Sequence, residues 1–382
     1  MEEMKIGFLA NSLMTLERYW DKLHDKAECW WGVTQPNTYR RLKKKKIRNV
    51  VYHHDKHFVD RNRTSGNMYV SPDPGEGERI VAEKIQPDLW LADTLNKLNR
   101  VPKKTFWVQV FHSLPIKEHF FYPGVLEYDL MLLPGEYHKK ELIKRLHLKD
   151  KEDERLKIVG WPRVDDFFNG TFDRQEIMKS LGLDVTAKTV MYAPTWGWGH
   201  GNEYLFARWH DDEIEVFEQL CQQVRNMNVN FIVKLHNLSF HVTNDRLIEV
   251  ARKYNVLWAT KDMGLFVDDP NEFLWVTDVL ISDVSGIIAD FLVLDRPIIY
   301  IDPDENLNAW DGADMPANFR AGCIVKTADE LFSAIEDSLK YPATYNSRRK
   351  EIVSELFYRP DGKAIDRAVK EIWKFADAKG LT

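Results

Sequence analysis

The chain of 382 residues has a formal net charge of -6, with 44% hydrophobic and 29% charged residues. This length predicts two domains, and the composition is that of a globular protein, which excludes a disordered or collagen-like chain. Three widely separated cysteines indicate neither a disulfide framework nor a zinc cluster, and the acidic start and interrupted apolar segments predict neither a secretory signal nor a transmembrane span.

Short apolar segments of strand length alternate with amphipathic segments of helix length along the chain, which is typical of parallel sheets covered by helices. The predicted strands of the first half are Ile6–Ala10, Trp30–Val33, Val50–Tyr52, Leu89–Ala92, Thr105–Phe111 and Leu130–Leu133. Those of the second half are Val190–Ala193, Phe231–Lys234, Val256–Ala259, Val279–Ser282, Ile298–Ile301 and Ile324–Val325. The fold prediction is therefore α/β, with two doubly wound, Rossmann-like domains.

A stretch rich in glycine, proline and aspartate between residues 160 and 170 separates the two halves. We expect an N-terminal domain over residues 1–166 and a second domain over residues 167–345. Helical periodicity near the carboxyl terminus, broken at Asp361-Gly362, predicts closing helices over residues 346–382 that pack back across a cleft between the domains.

One segment near the amino terminus is almost wholly basic although the chain as a whole is acidic. A charge run of this kind usually forms a solvated helix face or a loop. An anionic membrane surface and a polyanionic substrate are the alternatives that its charge favours. The cations are Arg40, Arg41, Lys43, Lys44, Lys45, Lys46 and Arg48.

Polar residues directly after strands are the first candidates for a site, because open parallel sheets bind ligands at the carboxyl ends of their strands. His112, Ser113 and Lys117 follow one predicted strand. A histidine there can accept a proton from a hydroxyl near neutral pH, and Lys117 can neutralise a phosphate. A hydrogen-bonded structural histidine is the alternative.

Two further candidates follow strands of the second half. One is the glycine-rich loop with Thr195, Trp196 and Gly197, whose glycines let backbone amides approach a phosphate. It lacks the Gly-Lys-Ser/Thr ending of a Walker loop. The other is Lys234-Leu235-His236-Asn237, which offers a cation, an imidazole and an amide, and whose imidazole can donate a hydrogen bond to a phosphoryl oxygen. The alternative for the glycine-rich loop is a simple turn. The alternative for the segment with His236 is a capping or packing role.

The fourth candidate connects a buried strand to a helix, from Ser282 through Asp283 and Ser285 to Gly286. Hydroxyls and free amides at a helix amino terminus attract anions. Asp283 would repel a phosphate, so we expect it to cap the helix or to bind a hydroxyl. The alternative is that Ser282 and Ser285 only cap the helix.

A histidine cluster lies in the segment Tyr52–His57. Lys56 stands among the histidines, and no carboxylate-rich segment accompanies them. The residues therefore do not favour a metal site.

Taken in order, the four candidate segments resemble the CDP-glycerol glycerophosphotransferase family of wall teichoic acid and capsule synthesis. The resemblance covers about residues 105 to 304. The matching residues are Gln109, His112, Pro115, Lys117, Gly160, Pro162, Arg163, Asp165, Ala193 to Trp196, His236, Ser282, Asp283, Ser285, Asp290, Arg296, Pro297 and Ile298. The chain departs from the family pattern at Ser113, Gly197, Asn237 and Gly286, which leaves glycerol phosphate and ribitol phosphate as competing transferred groups.

The resemblance implies a GT-B fold in which the second domain binds the donor and the first binds the acceptor. The implied reaction transfers a polyol phosphate from a CDP-alcohol to a hydroxyl, releases CMP, and needs no cofactor or metal. Catalysis is implied for His112 and His236, and acceptor or phosphate contacts for Lys117 and Ser113. Donor contacts are implied for Arg163, Thr195, Trp196, Gly197, Asn237, Ser282, Asp283, Ser285, Gly286 and Asp290. For Arg163, a structural tie between the two domains is an equal alternative.

The implied acceptor is a lipid-linked saccharide or a growing polymer, which predicts a cytoplasmic protein peripheral to the inner face of the membrane. Nucleic acid is not an expected partner. Two other functions fit the same architecture, because a fold does not determine chemistry. One is a sugar transferase or sugar-nucleotide epimerase that uses a UDP-sugar, and the other is a non-catalytic binding protein for an anionic polymer.

Overall fold

The computed structural model describes residues 3–9, 13–53, 76–93, 105–114, 118–121, 123–148, 154–194, 213–235, 245–259, 269–283, 285–302 and 319–382. The chain forms two compact units. The first comprises Met1–Pro115, His119–Asp165 and Glu355–Thr382, and the second comprises Ile116–Glu118 and Asp166–Ser354.

Strands and helices alternate along the described residues. The strands are β1 (Lys5–Leu9), β2 (Glu28–Val33), β3 (Val50–Tyr52), β4 (Leu89–Ala92), β5 (Phe106–Gln109), β6 (Leu130–Leu133), β7 (Leu156–Ile158), β8 (Thr189–Tyr192), β9 (Asn230–Val233), β10 (Leu257–Trp258), β11 (Val279–Ser282), β12 (Ile298–Ile301) and β13 (Cys323–Val325). The α-helices are α1 (Leu13–Leu23), α2 (Pro36–Lys44), α3 (Glu76–Ile85), α4 (Glu136–Arg145), α5 (Arg174–Ser180), α6 (Glu213–Asn226), α7 (Asp245–Lys253), α8 (Asn271–Val276), α9 (Ile287–Leu292), α10 (Ala328–Lys340), α11 (Asn346–Leu356) and α12 (Ala364–Ala378).

Each unit is built on one parallel sheet. In the described part of the first unit the sheet has seven strands in the order β3-β2-β1-β4-β5-β6-β7, and in that of the second it has six in the order β10-β9-β8-β11-β12-β13. In each sheet the chain adds strands first on one side of its first strand, β1 or β8, and then on the other side, as in doubly wound Rossmann-like sheets. All the paired strands run parallel, so the polar residues that follow them gather at one edge of each sheet.

The inner strands are largely apolar because helices cover both faces of such sheets. Every residue of β4, β6, β11 and β12 is buried. Each unit has its own core, which includes Phe8, Trp31 and Leu132 in the first and Phe217 and Ile281 in the second.

The last helix, α12, belongs to the first unit. Ile365, Val369, Ile372 and Ala376 lie three or four residues apart on it, so they share one face, and all are buried in the first core. The helix predicted after the Asp361-Gly362 break is therefore present. The backbone of Gly362 has a φ of 75°, a value that glycine adopts readily.

The α/β prediction is confirmed, and the predicted strands match observed ones with small shifts at their ends. Two details were wrong. The strand expected over Thr105–Phe111 ends at Gln109, because the chain turns sharply there, and β7 was not predicted at all. β7 has only three residues, too few for a periodic pattern.

Candidate active site

The turn that carries His112 is held by the side chain of Gln109. The amide oxygen of this fully buried residue accepts a hydrogen bond of 2.8 Å from the backbone N–H of Phe111. Phe111 has a φ of 51°, a left-handed conformation that is strained for a bulky residue. The buried hydrogen bond stabilises this turn, which ends β5 and presents His112 at the carboxyl edge of the first sheet.

His112 itself is half-buried and has a defined ring orientation. Its Nδ1 lies 2.9 Å from the backbone carbonyl oxygen of Asp93, and its ring centroid lies 5.5 Å from that of Phe120. Asp93 directly follows β4, the neighbour of β5, so two adjacent strand ends form this site. Ser113, the next residue, is half-buried at the same edge.

Arg163 also reaches this site from the 3-10 helix Pro162–Phe167. Its side chain is buried, and Nη1 donates a hydrogen bond of 2.8 Å to the carbonyl oxygen of His112. The structure thus brings together Arg163 and His112, which the resemblance had placed in donor binding and in catalysis respectively.

Two neighbours of Arg163 in the chain, Gly160 and Asp165, lie against the segment that leads into the last helix. The carboxylate of Asp165 accepts hydrogen bonds from the backbone N–H groups of Ala364 (3.1 Å) and Ile365 (2.8 Å), the first residues of α12. Gly160 has a φ of 92°, and a β-carbon there would lie 2.7 Å from the carbonyl oxygen of Tyr358. Glycine is therefore required where this segment passes close to the backbone before α12.

In the second unit, the segment after β11 is buried. Ser282 donates its hydroxyl hydrogen to the carbonyl oxygen of Ala193, at 2.6 Å, and so joins the ends of β11 and β8. This bond is not the helix cap considered for Ser282. The N-cap residue of α9 is Gly286, which has no side chain to cap it.

Three acidic or hydroxyl side chains lie in this segment and in the helix that follows it. Asp283, Ser285 and Asp290 are each less than 10% exposed. α9 ends at Leu292, and Asp290 lies within it. The segment thus places buried oxygen atoms beside the amides of a helical first turn.

Lys234 follows β9 at the same edge of the second sheet and is the cation of the candidate segment Lys234-Leu235-His236-Asn237. Its Nζ lies 3.3 Å from the carbonyl oxygen of Leu235. Burial lowers the pKa of this lysine to about 8, and the nearby carboxylate of Asp269 opposes part of that change. Its backbone N–H donates to the carbonyl of Tyr192 in the neighbouring strand β8, so the ends of β9, β8 and β11 lie side by side.

The signals for the overlooked residues differ. Asp93 directly follows β4, so the rule that selected His112 would also have selected it. The contact between Arg163 and His112 joins residues 51 positions apart and has no local signal.

Arg296, which belongs to the matched Arg-Pro-Ile segment, has a structural role at the other edge of the second sheet. Nη1 donates 2.6 Å and 2.5 Å hydrogen bonds to the carbonyl oxygens of Trp275 and Thr277, at the end of α8. The guanidinium also lies 5.5 Å from the centre of the Trp275 ring.

Several expected site residues lie outside the described residues. They are Lys117, Thr195, Trp196, Gly197, His236 and Asn237, together with most of the histidine cluster from His54 to His57.

The basic run forms the end of α2 and the turn into β3. Leu42 faces the core, and Arg41 and Lys45 both pair with Glu17 at 2.9 Å. The side chains of Arg40, Lys43, Lys44, Lys45, Lys46 and Arg48 are exposed.

The described residues contain no group of three or more His, Cys, Asp or Glu side chains that could hold a metal ion. The three cysteines all lie in the described part of the chain and are free thiols. None of the described helices has the length and apolar character needed to cross a membrane.

Two doubly wound parallel sheets, each with polar groups at the carboxyl ends of its strands, define an α/β protein of the GT-B-like class. The chain belongs to the CDP-Glycerol:Poly(glycerophosphate) glycerophosphotransferase family, whose model matches residues 8–374.

Two relatives and one solved structure illustrate this kinship. The teichoic acid ribitol-phosphate polymerase TarK of Staphylococcus aureus is 26% identical over 58% of this chain and 41% of its own length. The teichoic acid poly(glycerol phosphate) polymerase of Bacillus spizizenii is 23% identical over 71% of this chain and 70% of its own. A variant of the wall teichoic acid polymerase TagF, in which alanine replaces a histidine, has the same fold. The TM-score is 0.71, with 17% identity over 99% of this chain and 90% of the TagF chain. The chain therefore spans about two fifths of the length of TarK.

Proposed function

We propose that this protein transfers a polyol phosphate from a CDP-alcohol to a hydroxyl of a saccharide or growing polymer, and releases CMP, in teichoic acid-type polymer synthesis. The observation that carries the proposal is the oriented His112 at the carboxyl edge of the first sheet, in a chain whose family match spans residues 8–374. Glycerol phosphate is the proposed transferred group, because the family is one of glycerophosphotransferases. Ribitol phosphate is the competitor, since relatives named for each polymer are similar to this chain.

We propose that the first unit serves the acceptor and the second serves the donor. The acceptor hydroxyl loses its proton to His112 and its oxygen attacks the distal phosphorus of the CDP-alcohol. The bond from that phosphorus to the bridging oxygen breaks, and CMP leaves with the electron pair. Ser113 and Lys117 contact the acceptor or its phosphate.

In the second unit, the proposed donor site is the carboxyl edge formed by the ends of β9, β8 and β11. The charged form of Lys234 and the amides near Gly286 supply positive charge to the diphosphate. The buried carboxylates of Asp283 and Asp290 would repel a phosphate, so a role with donor hydroxyl groups suits them better. The resemblance adds His236, Thr195, Trp196, Gly197, Asn237 and Ser285 to this site, and Ser282 supports it through its hydrogen bond to the carbonyl oxygen of Ala193.

The decisive assay measures CMP release from CDP-glycerol and CDP-ribitol, each with and without a lipid-linked disaccharide or a polyol-phosphate oligomer. UDP-sugars serve as the control donors. Acceptor-dependent release of CMP supports the proposal and identifies the alcohol. Release of UDP alone, or no release with any donor, would refute it.

His112→Ala tests the proposed base against a matched control. Removal of a general base typically lowers the rate by about 10² to 10⁴. His24 is the control, because its Nδ1 also lies 2.8 Å from a backbone carbonyl oxygen, that of Trp20, but at an exposed helix end. We expect His24→Ala to retain the wild-type turnover. Equal turnover of His112→Ala at saturating substrate would exclude His112 as the base.

We also propose that the basic run binds an anionic membrane surface, which would bring a lipid-linked acceptor to the enzyme. α2 runs from the carboxyl end of β2 to the amino end of β3, so the turn at residues 45–48 lies at the sheet edge opposite to His112. Strands of this length separate the two edges by about 15 Å. The exposed cations are thus too remote to contact the reacting hydroxyl and suit an anchoring role.

Sedimentation with phosphatidylglycerol vesicles tests this role. Neutralising Lys43 and Lys44 to glutamine should weaken binding by about 30-fold, because each cation near an anionic surface contributes about 1 kcal/mol. Lys140 and Lys144, two exposed lysines on α4 of the same unit, provide the matched control. Equal losses in both double variants would show that the basic run has no special role.

A further inference from the structure

The backbone of His112 and its ring are fixed by two different partners. The guanidinium of Arg163 donates to the carbonyl oxygen of His112 at 2.8 Å, and the ring Nδ1 lies 2.9 Å from the carbonyl oxygen of Asp93. Both partners belong to the first unit and both are buried. The histidine is therefore held both at its backbone and at its ring.

The contact with Asp93 determines the tautomer of His112. A carbonyl oxygen can only accept a hydrogen bond, so the hydrogen of the neutral imidazole lies on Nδ1. The lone pair is then on Nε2, which becomes the atom that can accept a proton. This assignment depends on the ring staying within hydrogen-bonding distance of Asp93.

Arg163 lies in a segment that makes further hydrogen bonds. Its own carbonyl oxygen accepts a hydrogen bond of 3.5 Å from Nη2 of Arg18, and two residues later Asp165 binds the first amides of α12. The short stretch of chain from Arg163 to Asp165 thus joins the hydrogen bonds at the start of α12 to the one on the backbone of His112. An arginine suits this position because its planar guanidinium presents several donors in a fixed geometry.

We propose that Arg163 is a positioning residue for the reaction: it fixes the backbone of His112 so that Nδ1 stays on the carbonyl of Asp93 and Nε2 accepts the proton of the acceptor hydroxyl. This inference rests on the proposed function. It gives Arg163 a role different from donor binding, which the resemblance implied. Small displacements of a catalytic group can cost about 10²-fold in rate, so a residue that holds the backbone of the base can control turnover.

The first test separates positioning from donor binding by kinetics. Arg163→Met should lower kcat by about 10- to 100-fold while the KM for the CDP-alcohol changes less than about twofold. Arg163→Lys, which keeps one donor, should recover part of kcat. Arg155→Met is the control, because Nη1 of Arg155 also donates to a backbone carbonyl, that of Leu126, at 2.7 Å in the same unit. It should leave kcat unchanged.

A large rise in the KM for the CDP-alcohol, with kcat retained in Arg163→Met, would overturn the proposal in favour of donor binding. Equal losses of kcat in Arg163→Met and Arg155→Met would also overturn it, because the effect would then reflect general destabilisation.

The second test needs no substrate. In protein labelled with 15N-histidine, the nitrogen shifts of His112, identified by its loss in His112→Ala, report the tautomer. The wild type should show hydrogen on Nδ1, and Arg163→Lys, the variant that best preserves packing, should show a mixture. An unchanged tautomer in that variant would refute the positioning role. If the wild type releases no CMP with any donor, the proposed function fails, while this measurement still decides whether Arg163 positions His112.

Discussion

The interaction of Asp165 with the start of α12 leads to a quantitative prediction about stability. Its carboxylate accepts two hydrogen bonds from the amides of Ala364 and Ile365, and its side chain is only 3% exposed. Lys363, the N-cap residue of α12, makes no side-chain cap hydrogen bond. Asp165→Ala would leave both buried amides without this acceptor, so we expect a loss of about 3 kcal/mol in the free energy of unfolding, from the usual contribution of hydrogen bonds to charged groups and of helix caps.

Urea unfolding measures this loss, and hydrogen exchange of the peptide over residues 364–378 assigns it to α12. The control is Asp366→Ala in the same helix turn. Asp366 is 57% exposed and pairs with Lys22 at 2.6 Å, so its removal should cost less than about 1 kcal/mol. If Asp165→Ala were no more destabilising than Asp366→Ala, and exchange in α12 were unchanged, the capping role of Asp165 would be wrong.

Three further predictions concern buried groups. Burial lowers the pKa of His138 to about 3, below the 6.5 of an unfolded histidine, so the native state should lose about 2 kcal/mol of stability between pH 6.5 and 5.0; urea unfolding of the wild type and His138→Leu checks this, and an equal pH dependence in both would contradict it. Lys234 loses its charge above its pKa of about 8, so the KM for the CDP-alcohol should rise between pH 7 and 9 in the wild type but not in Lys234→Met, as CMP release would measure. Gly135→Ala should destabilise the first unit by about 2 kcal/mol in urea unfolding, because a β-carbon there would collide with the carbonyl oxygen of Leu356; unchanged stability would show that the backbone can move apart.

The sequence predicted most of the strands because a buried parallel strand needs a continuous apolar run. Leu89–Ala92, Leu130–Leu133 and Ile298–Ile301 were predicted with the observed ends. The strand prediction failed at Phe111, where the strand propensity of the residue disagrees with its observed backbone conformation. That residue would extend a strand by composition, but the buried amide of Gln109 holds it in a left-handed turn.

The candidate site was only partly predictable for a similar reason. The rule that ligands bind at strand ends selected His112 and Ser282, because it depends only on the order of strands and polar residues along the chain. It could not distinguish a residue that contacts a ligand from one that supports its neighbours. Ser282 illustrates this point, since its hydroxyl donates to the carbonyl of Ala193.

The sequence by itself therefore determined the fold class, the family and the places where polar groups leave the sheets, because these follow from local patterns of apolar and polar residues. Only the tertiary structure decided which of these groups touch. The bonds from Arg163 to His112 and from Asp165 to Ala364 join residues 51 and 199 positions apart. Such contacts arise when the sheet and its covering helices pack together, and no local pattern in the chain encodes them.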